Sequence, residues 1–421
     1  MKYSAGKFVA AVLVIPLMST ATYAQNTDPS DELMEQLQEM EARHQREMDA
    51  LRAELEALRQ ARPADADEVG QRINELEQQL EELSDFTLDL RPGTSNFLVT
   101  GYARTTFTNK EGSDSSFDAA FFPIFLWKLS DQIFIASELE VELSSDGETE
   151  VALEFLEMDF IVNDYLTLRG GKFLSPLSTF KEQLHPSWIN KLPDQPLFAS
   201  GGTRLIPTSS LGIEARGAFP IGQTTLTYSA WIANGFELEP SGKLSFSNFS
   251  DINNNKSIGA RIGFFPIPEL EVFYAFDFGD VAASGSAGVD ALIQDFGLGY
   301  VTEQDWLGGR LDIRFEYVFS DVDDTGPFDN EREGGYAQVA YRPTRAGSFL
   351  KDLEGVVRYD FIDQPSGAPD PSDEERWTIG LNYWLSPSAV FKLAYQFDDV
   401  DDPSGAKSSS DAIMAQFAIG F

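Results

Sequence analysis

The amino-acid sequence predicts an all-β transmembrane barrel of about 16 antiparallel strands, preceded by an N-terminal periplasmic α-helical coiled coil. Three observations predict the barrel. Apolar and polar residues alternate with a period of two from residue 91 onward, and the connections between the alternating segments are short and long in turn. Aromatic residues make up 12% of the chain although its mean hydropathy is only −0.22. Strands with one apolar face and one polar face produce this combination.

Composition excludes several classes of function. The chain has 421 residues, of which 68 are acidic and 31 basic, and its formal net charge is −37. A chain with so few basic residues cannot neutralise the phosphates of a nucleic acid, so no nucleic-acid partner is expected. The sequence contains no cysteine, which excludes disulfide frameworks, thiolate metal sites and cysteine nucleophiles.

Residues 1–24 have the pattern of a secretory signal peptide. Lys2 and Lys7 are followed by an apolar run from Phe8 to Met18, and Thr22-Tyr23-Ala24 places small residues at the −3 and −1 positions of a cleavage site. This apolar run is too short for a spanning helix. We therefore expect export from the cytoplasm; an uncleaved anchor is the alternative.

Residues 25–90 are predicted to form a coiled coil. Apolar side chains recur at steps of four and three, with one stutter at His44, and Pro63 separates two such runs. The two runs are Leu33, Leu37, Met40, Met48, Leu51, Leu55 and Leu58, and then Val69, Ile73, Leu76, Leu80 and Leu83. An isolated amphipathic helix is marginally stable in water, so this stripe predicts self-association. A single helix lying on its own domain is the alternative.

Residues 91–421 contain sixteen segments that alternate with a period of two. The predicted strands are 96–108, 117–129, 132–143, 150–162, 165–172, 209–219, 223–233, 256–265, 269–279, 289–301, 305–319, 333–343, 353–363, 374–385, 388–398 and 410–421. Short and long connections alternate between them, as in outer-membrane barrels, whose short turns face the periplasm. Both ends of the strand set lie on the short-turn side, which places the coiled coil in the periplasm of a Gram-negative bacterium. A soluble β-sandwich, the alternative, would not show this alternation.

The parity of the strands predicts a wet interior. In 132–143, Glu138, Glu140 and Glu142 share one face while the apolar residues share the other, and three carboxylates in a row cannot face lipid. The same reasoning predicts these further residues in the pore wall: Arg104, Glu154, Arg216, Arg261, Arg314, Arg358 and Lys392. About sixteen strands leave an aqueous channel, and the chain is too short for a plugged transporter of about 22 strands. The function class that remains is a passive pore for small hydrophilic solutes and ions.

The third long connection, residues 173–208, is unusual for an external loop. It contains Leu, Ile, Phe, Trp and five Pro, so we expect it to fold into the lumen rather than into water. With its preceding residue it carries four basic residues, Lys172, Lys181, Lys191 and Arg204, against two acidic ones. Basic rings suit anion pores and acidic rings suit cation pores, so this local excess predicts a basic constriction with an anion preference. The inward glutamates would favour cations if they lay at the narrowest section.

Together the signal peptide, the coiled coil, sixteen strands, the lumenal third loop and the aromatic Phe421 resemble the trimeric bacterial porins. The segment Gly171-Lys172-Phe173-Leu174-Ser175-Pro176, which leads into the loop, is most similar to the phosphate-selective porin O/P-like family. The resemblance implies a homotrimer and basic constriction residues, to which it adds Arg169. Phe421 ends an alternating strand with an aromatic ring, as an insertion signal for the barrel-assembly machinery would.

Other functions receive less support from the sequence. A hydrolase would need His185, the one histidine outside the coiled-coil segment, and no nucleophile elbow lies near it. We predict no enzyme, no catalytic residue, no cofactor and no metal site. A barrel that tethers the envelope through its coiled coil is the structural alternative. The expected partners are outer-membrane lipid and lipopolysaccharide, the assembly machinery and small solutes or anions.

Overall fold

The structure is a computed structural model, and it describes residues 96–143, 147–239, 241–246, 254–281, 288–323, 330–365, 373–401 and 407–421. The predicted signal peptide and coiled coil lie outside these residues.

Sixteen antiparallel strands form a closed barrel, which confirms the predicted barrel. In chain order they are β1 Phe97–Lys110, β2 Ser116–Lys128, β3 Ile133–Leu143, β4 Thr149–Asn163, β5 Leu166–Leu174, β6 Ser209–Ile221, β7 Thr224–Asn234, β8 Lys256–Ile267, β9 Leu270–Asp280, β10 Asp290–Gln304, β11 Gly309–Val322, β12 Asn330–Arg342, β13 Leu353–Asp363, β14 Asp373–Ser386, β15 Ala389–Asp401 and β16 Ala412–Gly420. A short strand, Lys407–Ser409, pairs with the end of β15 just before β16 begins. Pairing of β1 with β16, from Tyr102 opposite Gly420 to Lys110 opposite Ala412, closes the barrel.

The period of two arises from the barrel wall. In β8 the side chains of Ile258, Ile262 and Phe264 are half exposed on the outside, whereas Arg261 is buried on the inside. The predicted boundaries agree with the observed ones to within a few residues at most strands. The prediction for β11 begins too early because Asp305–Leu307 form a 3₁₀ turn, which Gly308 ends at φ 65°. A left-handed residue of this kind ends the turn at no steric cost when it is glycine.

The connections divide the barrel into two ends. At one end six of the seven connections have two to four residues, such as the two residues between β4 and β5 or between β14 and β15; the exception is the ten-residue connection 343–352 between β12 and β13. At the other end the connections have five or more residues, and the longest lies between β5 and β6. The start of β1 and the end of β16 both lie at the short-turn end.

Helical structure is confined to short turns in the described part of the chain. Besides Asp305–Leu307 these are the π-helix Phe180–Leu184 and the 3₁₀ helices Leu197–Ala199, Gly201–Thr203 and Leu350–Asp352. Within the described residues, no helix is long and apolar enough to cross a membrane. A two-stranded hairpin, Glu237–Leu238 with Leu244–Ser245, lies in the fourth long connection.

The apolar core lies inside the barrel rather than between layers. A barrel of sixteen strands is too wide for wall side chains to fill, so other residues must occupy part of its interior. Here the loop between β5 and β6 supplies them: Leu177, Phe198 and Ile206 of this loop are fully buried against wall residues such as Ile293 and Val318. We call residues 175–208 the third loop.

Candidate pore constriction

A glycine that admits no side chain lies three residues before the end of β5, where the third loop begins. The ladder between β4 and β5 ends where Leu156 pairs with Lys172. Gly171, immediately before, has φ 123°, and a Cβ there would lie 2.2 Å from the backbone oxygen of Leu156. Only glycine tolerates both conditions. The next residue after Lys172, Phe173, is fully buried among the residues of the internal core.

Asp194 joins the third loop to three strands of the far wall. Its Oδ2 accepts hydrogen bonds from Arg358 on β13 at 2.6 Å, from Gln396 on β15 at 2.6 Å and from Arg376 on β14 at 3.4 Å. Arg358 itself is completely buried and donates a second bond, at 2.7 Å, to Asp360. Buried charges are tolerated only when they are paired and hydrogen-bonded, and this network satisfies both conditions.

Lys392 on β15 makes a second attachment. Its ammonium group is buried and donates hydrogen bonds to loop carbonyls, to that of Asn190 at 2.7 Å and to those of Ser187 and Leu192. The amide oxygen of Gln416 on β16 accepts a further bond at 2.9 Å. A lysine ammonium has three protons, so it has no capacity left for a solute.

The other half of the third loop is bound to β8 and β11. Arg261 donates a bond of 2.6 Å to the hydroxyl of Thr179. Glu316 accepts bonds from the Ser178 hydroxyl at 2.5 Å and from the Phe180 backbone N–H at 2.9 Å. The loop that starts at β5 is therefore held by side chains of strands from β8 round to β16.

A cavity of about 400 Å³ remains between the third loop and the wall of β3 to β6. We call it the constriction cavity. Its lining residues are Glu140, Ala152, Glu154, Lys172, Lys181, Gln195, Arg204, Thr208, Ser209, Leu211 and Phe246. Three of these residues are basic and two are acidic, so the lining has a small excess of positive charge in a chain that is strongly acidic overall.

Lys181 is the most deeply buried basic residue that lines this cavity. Its Nζ donates a hydrogen bond of 2.7 Å to Oε1 of Gln195 across the loop. Burial is the main reason that its pKa falls to about 8; the positive charge of Arg204 lowers the pKa further, whereas Glu154 and Glu140 oppose the shift. Burial also lowers the pKa of Arg204. Lys181 is thus one side chain at the constriction whose charge changes just above neutral pH.

Of the predicted constriction residues, the structure brings Lys172, Lys181 and Arg204 together with the wall residues Glu140 and Glu154. Two predicted members lie elsewhere. Lys191 forms an ion pair of 2.8 Å with Glu354 on β13 and lines a different cavity. Arg169 is held by Asp159 at 2.7 Å and by Glu157 at 2.9 Å. Both residues lie apart from the constriction cavity, because inward parity and loop membership do not determine where the folded loop passes.

Most of the predicted wall arginines and lysines point inward but are already bound. Arg358, Lys392 and Arg261 are buried and donate hydrogen bonds to the third loop, so they do not face open solvent. The other three form ion pairs: Arg104 with Glu142 at 2.6 Å, Arg314 with Asp312 at 2.7 Å, and Arg216 with Glu182 at 3.1 Å.

The inward glutamates divide into two groups. Glu138 is buried and accepts a hydrogen bond of 2.8 Å from the hydroxyl of Tyr102, and Glu142 is neutralised by Arg104. Glu140 and Glu154 line the constriction cavity. Of the four inward glutamates, only these two line that cavity.

Three residues that matter here were not identified from the sequence. Asp194 was counted only as a loop charge, although it is the main attachment of the loop. Gln195 positions Lys181, and Phe246, which follows the hairpin in the fourth long connection, closes one side of the cavity. The apolar residues Phe236, Leu238, Leu244 and Phe246 were the available signal, since they pack against the internal core.

Comparison with known proteins bears on the fold. The structure of OmpF from Salmonella typhi in complex with daunomycin matches with a TM-score of 0.55 at 12% identity, over 77% of this chain and 97% of that one. The fold is that of the porins. An anion-selective porin from Comamonas acidovorans matches with a TM-score of 0.51 at 12% identity, over 77% and 99% of the two chains. The outer membrane channel DcaP of Acinetobacter baumannii gives a TM-score of 0.51 at 10% identity, over 77% and 97%.

Sequence comparisons add little to what the fold comparison shows. No family model matches the chain. A protein of Aquifex aeolicus described as uncharacterized is 24% identical in an alignment of 346 residues that covers 72% of this chain and 76% of the relative.

Proposed function

We propose that this porin-fold protein is an outer-membrane porin that lets small hydrophilic solutes diffuse passively, with a preference for anions. The constriction cavity carries this proposal. The third loop and the wall of β3 to β6 enclose a polar space whose lining includes Lys172, Lys181 and Arg204. A polar, charged passage inside a barrel with an apolar outer face has the properties of a diffusion pore.

The anion preference follows from which charges are close to the solute. At physiological ionic strength, charges farther away than about 8 Å are largely screened, so the lining of the constriction outweighs the net charge of the chain. The lining has three basic and two acidic side chains. The similarity of residues 171–176 to the phosphate-selective porin O/P-like family supports the same sign of selectivity. The excess of one positive charge predicts a weak to moderate preference.

We further propose a homotrimer in the outer membrane of a Gram-negative bacterium. The start of β1 and the end of β16 both lie at the short-turn end of the barrel, and this supports a periplasmic location for residues 25–90. The heptad spacing of their leucines supports association of three chains through the predicted coiled coil. We expect the barrel to contact membrane lipid and lipopolysaccharide, and to be inserted into the membrane by the barrel-assembly machinery. No catalytic activity is part of the proposal.

Planar-bilayer recording tests the proposal. The mature protein should give stepwise conductance increases that scale with salt concentration, and liposomes that contain it should swell faster in arabinose than in a large oligosaccharide. Absence of both signals from a correctly folded barrel would refute a pore function.

A variant without residues 25–90 distinguishes the porin function from the alternative function as an envelope tether. The porin proposal expects each barrel still to conduct in this variant. A full-length barrel without conductance, whose deletion variant weakens the cell envelope, would instead establish the tether.

A further inference from the structure

A second cavity, of about 390 Å³, lies on the other side of the third loop. We call it the vestibule cavity. It lies near the short-turn end, because Arg310 is the second residue of β11, Arg342 is the last residue of β12, and Trp384 lies two residues before the end of β14. No residue of the constriction cavity lines it.

One side of the vestibule cavity is apolar and aromatic. The third loop contributes Phe180, Leu184, Trp188 and Ile189, and the wall contributes the indole ring of Trp384. Trp384 is fixed in orientation, since its Nε1 donates a hydrogen bond of 3.1 Å to Glu354. The Lys191 ammonium and the Arg342 guanidinium already lie over this ring, 5.3 and 5.4 Å from its centroid. The part of the ring that lines the cavity offers a flat surface on which an apolar or aromatic body can stack beside these two cations.

The other side of the vestibule cavity is cationic. Lys191 and Arg314 are neutralised by Glu354 and Asp312, at 2.8 and 2.7 Å. Arg310 has no ion pair with any residue that the structure describes. Glu303, which lies opposite Arg310 on β10, instead accepts a hydrogen bond of 2.6 Å from Thr344.

Arg310 and Arg342 occupy directly opposite positions on β11 and β12. Like charges that face each other across two strands are destabilising. Arg342 is partly satisfied, because its Nε donates to the Lys351 carbonyl at 2.8 Å and its second terminal nitrogen to Asp352 at 3.0 Å. Its remaining guanidinium nitrogen makes no hydrogen bond to the described residues. A carboxylate bound between the two arginines would remove their repulsion and form charge-assisted hydrogen bonds with both.

We propose that the vestibule cavity binds organic anions that have an aromatic body, with aromatic monocarboxylates as the simplest class. The carboxylate is bound by Arg310 and the free edge of Arg342, and the ring packs on Trp384 and the apolar face of the third loop. The inference rests on the proposed pore function in one respect, since it names a class of solute that would pass through the same lumen.

Calorimetric titration of the detergent-solubilised, full-length mature protein tests this site without any current measurement. Benzoate is the probe. Benzamide has the same ring without the charge, acetate has the carboxylate without the ring, and inorganic phosphate represents a simple anion. We expect benzoate to bind at least about tenfold more tightly than each of the other three, because only benzoate uses both sides of the cavity.

Arg310→Gln should weaken benzoate binding about tenfold, the loss expected for one charge-assisted hydrogen bond. Arg310→Lys, which keeps the charge, should retain more of the affinity. Arg345→Gln is the matched control, because it removes a nearby cation that is paired with Asp305 in the turn region outside the cavity. Each variant is first shown to be a folded barrel by circular dichroism and by its heat-modifiable mobility in gels.

Equal affinity for benzoate in Arg310→Gln and the wild type would overturn the proposal. So would phosphate or acetate binding as tightly as benzoate, which would indicate a simple anion site, or benzamide binding as tightly, which would indicate an apolar one. A protein that conducts ions but does not bind benzoate refutes this inference alone. A protein that binds benzoate but forms no channel would refute the pore function and would leave the proposed binding site standing.

Discussion

Arg358 on β13 donates a hydrogen bond of 2.6 Å to the carboxylate of Asp194 in the third loop, although 164 positions separate the two residues in the sequence. Arg358 is completely buried, so this bond is protected from water and from salt. Together with Lys392 it makes the third loop a fixed part of the barrel interior. The position of the constriction cavity, and of Lys181 within it, depends on these attachments.

Asp194→Ala should loosen the third loop. The change removes the acceptor for Arg358, Arg376 and Gln396, and leaves one buried and one partly buried guanidinium group with fewer partners. We expect a loss of about 2–4 kcal/mol in the free energy of unfolding, measured in urea on barrels refolded into lipid vesicles. The open channel should also show more current noise, because the loop moves within the lumen.

Asp305→Ala is the control for this change. Asp305 lies in the short connection between β10 and β11 and forms an ion pair with Arg345. The side chain of Asp305 is almost fully exposed. Loss of such a pair should not measurably change stability or noise. If Asp194→Ala behaved in the same way as Asp305→Ala, the third loop would not be held by Asp194.

The anion preference should decrease as the pH rises from 7 to 9. Burial lowers the pKa of Lys181 to about 8, so its amine is mainly protonated below that pH and mainly neutral above it. The constriction lining therefore loses one positive charge over this range. The ratio of chloride to potassium permeability should fall accordingly. It is measured in a salt gradient with the same pH on both sides of the bilayer, once at each pH.

Lys181→Arg keeps the positive charge at pH 9 and should abolish most of this decrease, because the guanidinium does not deprotonate there. Lys181→Met should show the low ratio at every pH. A wild-type ratio that stays constant while the two variants differ from each other would show that Lys181 does not titrate in this range.

The sequence predicts the wall of this barrel much better than its interior. In β16 the alternation of Ile413 and Phe417 with Met414 and Gln416 is a local signal, because successive side chains of any strand point to opposite faces. The structure gives the same division: Ile413 and Phe417 are half exposed outside, and Gln416 is buried inside. Strand number and order follow from such local patterns and from the alternation of turn lengths.

The site depends on contacts that no local pattern contains. Lys181 and Lys191 lie ten residues apart in one loop and carry the same charge, yet the structure places them in different cavities. What separates them is the attachment of the intervening loop to Lys392 and Glu354 on the far wall. Arg310 shares the inward parity of Arg314, but its importance comes from its position opposite Arg342, which only the strand register reveals.

Phe421 should contribute to barrel assembly through its ring. Its backbone N–H and carbonyl both pair with Gly101, at 3.0 and 3.1 Å, and its ring stacks on Phe121 at a centroid distance of 5.8 Å beside the seam between β1 and β16. Phe421→Ala keeps the backbone pairing and removes the ring. We expect less folded barrel in the outer membrane, measured by heat-modifiable mobility, and a normal amount for Phe421→Tyr. Normal amounts of Phe421→Ala with reduced conductance would assign the ring to transport instead.

The predicted coiled coil should hold the proposed trimer together. Replacing Leu51, Leu55 and Leu58 with Asp places charges in the apolar seam and should lower the proportion of trimer in mild detergent. Glu54→Ala, which lies between two of these positions, is the control and should leave the trimer intact. If light scattering gives a monomer for the wild type and the variant alike, the trimer proposal is wrong.

The zero-current potential of the wild-type channel in a potassium chloride gradient most directly tests whether the constriction cavity determines selectivity. Potassium and chloride have similar mobilities in water, so an unselective pore gives a potential near zero. We predict that the dilute side becomes negative in the wild type, and that this sign reverses when Lys172 and Lys181 are both replaced with Glu. A wild-type channel whose dilute side becomes positive would contradict this account, because Glu140 and Glu154 would then outweigh the three basic side chains opposite them.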